Sequence, residues 1–185
     1  MISRKKRWIC IGAAVLAFLM IVSGRSVWIT SMYPNPEIHE AGIGDSLYHN
    51  GCQFTVTECV LEKADGQDMG LEQMRLNIHM NIENVSGMDS TVMGENYSIE
   101  SGCRFRNQMN PYEYVEINPG QTGTVVTLKP GEALDVVLPF RISRTEMTES
   151  TWEELENGEW YFNVTVSTYP VKNVFHFEGE DITMG

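Results

Sequence analysis

The chain has 185 residues, and its 13 basic and 25 acidic side chains give a formal charge of −12 at pH 7. Five of the cations (Arg4, Lys5, Lys6, Arg7 and Arg25) fall in the first thirty residues, which hold no acid; beyond them eight cations face all 25 acids, leaving −17. A surface of that sign repels phosphate backbones, which excludes a nucleic-acid-binding role, and it keeps a domain soluble while favouring cationic partners.

The N-terminus reads as a membrane-directing segment, with four consecutive cations followed by an uncharged run from Trp8 to Gly24. Two fates fit it. Trp8 to Val22 has the length of a signal-peptide core, and Val22-Ser23-Gly24 is a small-residue cleavage site. As an anchor, the same helix would hold Trp8 and Trp28 about 30 Å apart, the thickness of the hydrocarbon layer, as paired interfacial residues. Arg25 lies one turn inside Trp28 and can run its stem along the helix to reach the headgroups. The basic start stays cytoplasmic under the positive-inside rule, so the remainder lies outside. Residues 1–30 are therefore a signal anchor or signal peptide, the anchored form being preferred and a secreted product the alternative. Cys10 is embedded in the run, and no cysteine follows it closely enough to accept a lipid.

Residues 31–44, with Pro34, Pro36, Gly42 and Gly44 and no apolar period, read as a tether. Residues 45–185 are enough for one core and too few for two. Asn50-Gly51 joins Ser46–His49 to Cys52–Leu61 as a hairpin, since both turn residues tolerate positive φ. Met74, Leu76, Ile78, Met80 and Ile82 alternate with polar residues over ten positions, which predicts a strand with one buried face. Ser101-Gly102 separates Tyr97–Glu100 from Cys103–Asn107 as a second hairpin. Asn118-Pro119-Gly120-Gln121 and Lys129-Pro130-Gly131-Glu132 bracket a strand at 122–128 as type II turns. Leu134, Val136, Leu138, Phe140 and Ile142 give another alternating strand, in which Pro139 points to an edge position or a bulge. Ser150 with Glu153 forms a capping box that starts a short crossover helix closed at Asn157-Gly158. Trp160, Phe162, Val164 and Val166 alternate in a strand near a sheet centre, and 171–177 is the last strand. Eight or nine strands at this spacing predict an all-β, antiparallel Greek-key sandwich of immunoglobulin type with one short helix, behind a single N-terminal transmembrane helix; a small barrel is the structural alternative.

The order of the Asn50-Gly51 hairpin, Phe54-Thr55-Val56-Thr57, the alternating strand ending at Glu83-Asn84, and the Pro119-Gly120 and Pro130-Gly131 turns resembles a group of immunoglobulin-like extracytoplasmic domains of Gram-positive bacteria whose function is unknown. The resemblance spans about residues 42–177 and implies a sandwich at the cell envelope. It carries over no catalytic or ligand-binding residue.

Chemistry-bearing residues are sparse. His39, His49, His79 and His176 sit in no catalytic motif, and Gly44-Asp45-Ser46 lacks the glycine a nucleophile elbow needs. Cys52 and Cys59 are about 23 Å apart along one extended strand, so neither can pair with the other and each can bridge only to Cys103. Cys52 shares the inward parity of Phe54 and Val56, which makes Cys52–Cys103 the preferred disulfide and reduced core thiols the alternative. The same spacing argues against a zinc site built from His49, Cys52, Cys59 and Cys103, and no metal or cofactor is expected. Acidic groups at Asp65 and Asp68, at Glu153 and Glu154, and at Glu178, Glu180 and Asp181 lack the spacing of a calcium loop. Tyr97, Phe105, Tyr112 and Tyr114, around Asn110-Pro111, are a possible binding face, although aromatic strand residues more often pack inward. These readings together predict a non-catalytic module held at the membrane that binds another envelope protein or a peptide. The rival is an envelope or secreted hydrolase, calcium-dependent or not, working through the acidic loops.

Overall fold

In a computed structural model the described residues are 4–63, 72–93, 97–101, 105–157 and 160–185. They fall into two units, Met1–Pro36 and Glu37–Gly185. The first is a single helix, α1 (Arg4–Met32), of 29 residues. At 1.5 Å per residue it is about 44 Å long, more than the hydrocarbon thickness. Its stretch Ala14–Met32 has a mean hydropathy of 1.6 with no part buried, and Phe18, Met20, Ile21, Val27 and Trp28 are all open. By length and composition this helix is a candidate membrane span or signal sequence. The Thr30 and Ser31 hydroxyls donate to the carbonyls of Ser26 (2.9 Å) and Trp28 (2.7 Å), so its hydroxyls near the C-terminal end are satisfied within the helix. Helical backbone runs unbroken through Val22-Ser23-Gly24. The side chain of Trp8 lies outside those described.

The second unit contains β1 (Glu37–Ala41), β2 (Ser46–His49), β3 (Cys52–Lys63), β4 (Gln73–Asn84), β5 (Ser90–Met93), β6 (Ser98–Ser101), β7 (Phe105–Gln108), β8 (Val125–Leu128), β9 (Ala133–Ser143), β10 (Phe162–Ser167), β11 (Val171–Phe177) and β12 (Thr183–Met184), with helices α2 (Pro111–Ile117) and α3 (Glu149–Glu156). One sheet has the order β1-β11-β10-β6-β7, and the other β12-β3-β4-β9 with β2 also paired to β3; β5 and β8 form a separate ribbon. Their inner faces share one apolar core that includes Phe140, Phe162, Phe175 and Phe177, all at 0% exposure. This is a β-sandwich with few helices.

Three expectations need correction. The sheets are mixed rather than purely antiparallel, because β1 runs parallel to β11 and β12 parallel to β3. Both are terminal segments that no hairpin constrains, so they add to an edge in whichever direction they arrive. Residues 37–41 are strand rather than tether, which leaves only 33–36 between α1 and the sandwich. Among the described residues the sandwich carries two α-helices instead of one crossover helix: α2 begins at Asn110, whose side chain caps the amides of Tyr112 and Glu113 ahead of Pro111. The other, α3, starts at Thr148 and not Ser150, because the Thr148 hydroxyl accepts the Thr151 amide at 3.3 Å.

Local chemistry explains the remaining geometry. Asn50 and Gly51 have φ of 49° and 78°, the two positive values that a type I′ hairpin needs. On β3 the inward residues Cys52, Phe54 and Val56 are followed by an extra residue, as the register passes from Val56↔Met80 to Glu58↔His79. This bulge at Thr57 reverses the parity, so Cys59 and Leu61 also face the core. β9 ends its sheet, as Pro139 led us to expect, and its free edge is closed by three asparagines. The Asn118 amide takes both the Val137 carbonyl (2.8 Å) and the Val137 N–H (2.8 Å). The Asn110 N–H donates to the Pro139 carbonyl (3.1 Å), and the Asn107 side chain donates to the Arg141 carbonyl (2.7 Å). Asn118→Ala strips both of these bonds, and a third to the Tyr114 carbonyl (2.7 Å), from a residue that is 6% exposed. We expect it to lower stability by about 2–3 kcal/mol and to promote concentration-dependent association through the bared edge, measured by urea unfolding and light scattering.

Candidate functional site

The β2–β3 hairpin, the β5 strand, the residue before β6 and the end of β10 meet at one end of the sandwich. They enclose a pocket of about 150 Å³ lined by His49, Asn50, Cys52, Phe54, Thr91, Val92, Tyr97 and Val166. The type I′ turn sets His49 directly opposite Cys52. Leu47 and Phe54 are buried on the same face, so both side chains enter the inner side of the hairpin, with Cβ atoms about 5 Å apart. Tyr97 packs edge-on against Phe54, ring centroids 6.2 Å apart at 83°. Behind the hairpin, Asn84 pairs in register with Cys52, and the Ser90 hydroxyl donates to the Asn50 carbonyl at 3.2 Å.

Burial sets the charge states in this pocket. Desolvation lowers the pKa of His49. It raises the thiol of Cys52, against a smaller opposing effect of the hydrogen bond from Ser90, and it raises the phenol of Tyr97. All three are neutral at pH 7, so the pocket offers uncharged donors and acceptors in an apolar frame. Because His49 binds its proton less readily folded than unfolded, stability falls as pH drops through the ordinary histidine range near 6.5 toward its lowered folded value. His49→Gln should flatten that part of the stability-versus-pH curve, as followed by thermal melts between pH 8 and pH 5.

A second, more open groove of about 230 Å³ lies on the outer face at the Thr57 bulge, lined by Thr57, His79, Met80, Asp135, Val136 and Val137. Thr, His and Asp share this groove, and the side chains of Thr57 and Asp135 are hydrogen-bonded to groups other than the His79 ring. The Thr57 hydroxyl donates to the His79 carbonyl (3.3 Å), and Asp135 accepts from the Asn81 side chain (2.8 Å).

Of the four aromatics read as a possible face, the three whose side chains are described differ in exposure. Tyr97 and Tyr114 are each 3% exposed, whereas Tyr112 is 87% exposed, and the side chain of Phe105 lies outside those described. On α2 residues two apart point in opposite directions, which turns Tyr112 out and Tyr114 in. Cys52 and Cys59 are free and buried. The partner proposed for Cys52, Cys103, lies outside the described residues. Ser101 ends β6 away from Tyr97, which lines the pocket beside Cys52. Burial, with the nearby Asp181 and Glu58 carboxylates, pushes the Cys59 thiol up to about 12, which makes it an inert core group.

Of the acidic clusters, Asp65 and Asp68 lie outside the described residues. Asp181 accepts the Glu178 N–H at 3.0 Å in a reciprocal cap of a 3-10 turn. Among the described residues no group of three or more His, Cys, Asp or Glu is placed to hold a metal ion. Sequence reasoning weighs His49 and Cys52 together only within a four-ligand zinc site and so passes over them as a pair. The signal for the pair is present in the Asn50-Gly51 turn, which places the residues on either side of it face to face.

The sandwich is similar in structure to the Bacillus subtilis candidate lipoprotein ycdA, with a TM-score of 0.53, 11% identity, and coverage of 74% of this chain and 39% of that one. This chain therefore spans about two-fifths of that protein. An uncharacterised β-sandwich protein of Clostridium difficile aligns at 9% identity and TM-score 0.48, covering 77% of this chain and 96% of that one. The Bacillus subtilis yjhA protein aligns at 13% identity and TM-score 0.45, with 74% and 98% covered. No curated protein sequence matches the chain. Residues 54–173 match a domain of unknown function, DUF5028, and because that span is more than half of the sequence, the chain belongs to the DUF5028 family.

Proposed function

We propose that this protein is an uncleaved, single-pass membrane anchor carrying an extracytoplasmic, immunoglobulin-like Greek-key sandwich. In this reading it binds another envelope protein or a peptide and does no chemistry of its own. The observation that carries the reading is α1, a 29-residue helix apolar on every described side, headed by Arg4, Lys5, Lys6 and Arg7 and followed within five residues by β1. The four cations ahead of the apolar run support the orientation, since the basic end favours the cytoplasm. The non-catalytic part is supported by the committed hydrogen bonds of Thr57 and Asp135 and by the neutral groups lining the pocket.

Alkaline carbonate extraction tests the anchor. The wild-type chain should stay in the membrane pellet and dissolve only in detergent. Leu19→Arg puts a charge near the middle of the span at a cost of about 3 kcal/mol. It should therefore move a large fraction of the chain to the supernatant. A wild-type chain released by carbonate contradicts the anchor.

A further inference from the structure

We propose that His49 and Cys52 form a two-donor site for a soft monovalent metal ion, copper(I) being the natural occupant, at the open end of the sandwich. The geometry comes from the hairpin. Direct cross-strand pairing brings an imidazole and a thiol to one face with Cβ atoms about 5 Å apart. That spacing lets both side chains reach a single ion between them. Both line a pocket of about 150 Å³, which gives the ion a way in, and the same walls include Phe54, Val92 and Val166.

The donor set selects the class of ion. Thiolate and imidazole suit copper(I), while calcium and magnesium require oxygen ligands and the pocket lining contains no carboxylate. Structural zinc takes four protein ligands, more than this pair supplies, whereas a closed-shell monovalent ion is content with linear coordination by two. Binding replaces the thiol proton: the Cys52 S–H bond breaks, a sulfur–copper bond forms, one proton leaves to solvent, and His49 donates a ring lone pair without any change of oxidation state. Because each ion bound displaces one proton from the thiol, affinity should rise about tenfold per pH unit across the neutral range.

The test uses the full chain in detergent without oxygen, with copper(I) offered in competition with bicinchoninate and silver(I) as a redox-inert second probe. We expect one equivalent bound and a thiolate-to-metal charge-transfer band in the ultraviolet. Cys52→Ser should lose the band and bind on the order of 100-fold more weakly, and His49→Gln roughly 10- to 100-fold more weakly. A chain with Cys10, Cys59 and Cys103 all changed to serine should keep its equivalent. As a check that does not depend on a core thiol variant, silver(I) should raise the melting temperature of the wild type and leave that of His49→Gln unmoved. Complete loss of copper to bicinchoninate, Cys52→Ser binding like the wild type, or silver(I) stabilising wild type and His49→Gln equally would each overturn the proposal.

Discussion

Asn84→Ala is expected to lower the unfolding free energy by about 3 kcal/mol, a large share of what a domain of this size commands. Asn84 is 0% exposed at the end of β4, where one side chain ties three segments together. Its Nδ2 donates to the carbonyls of Leu128 and Met88, each at 2.8 Å, and its Oδ1 accepts the Ser86 amide (2.9 Å) and hydroxyl (2.8 Å). Truncation leaves the Leu128 carbonyl, itself buried, without that donor, and opens a void where the amide was. The Ser86 groups, nearer the surface, can turn to water. Asn84→Asp should be at least as damaging, since it removes both donors and puts a charge where no solvent reaches. Urea unfolding of the two variants measures this, and a loss below about 1 kcal/mol would mean that the turn holds itself without Asn84.

Trp160→Ala should cost about 4 kcal/mol, within the usual range for an aromatic deleted from a core. Trp160 is 4% exposed, stacks on Phe162 with centroids 5.9 Å apart at 18°, and donates its indole N–H to the hydroxyl of Ser101, which is 1% exposed. It therefore locks the entry to β10 against the far end of β6, two strands paired through Asn163↔Glu100. Trp160→Phe separates the contributions. It keeps most of the ring packing and loses the donor to Ser101, so a cost of about 1–2 kcal/mol is expected. Equal losses for the two variants would assign the whole effect to the hydrogen bond.

Much of this fold is legible in the amino-acid order because local rules and burial agree. β4 alternates strictly, and every core-facing residue from Met74 to Ile82 is buried. Asn50-Gly51 and Pro139 each dictate one local geometry, a hairpin and an edge. What could not be read has physical reasons. β1 leaves its first four residues exposed, so Glu37–Glu40 carry no apolar period to betray a strand. Its pairing, like that of β12, is parallel and distant in sequence. The bulge at Thr57 shifts the inward set from even to odd residues, and only the register with β4 reveals that Cys59 turns inward. His49 and Cys52 do not stand out as a pair because the sequence offers them together only as part of a four-ligand zinc site, and of the aromatic cluster Tyr97 and Tyr114 are core while Tyr112 is exposed.

The edge asparagines, the Asn84 tie and the mixed sheets hold the sandwich together, and the apolar helix that precedes it in the chain is a candidate membrane span or signal sequence. The most direct test is the mature chain in intact cells: its N-terminus, its mass and the side from which protease reaches it. We predict a membrane-bound chain that keeps Trp8–Gly24, with the sandwich accessible to protease added outside. A product beginning near Ser23–Arg25 in the medium, or a sandwich protected until the cells are broken, would contradict it.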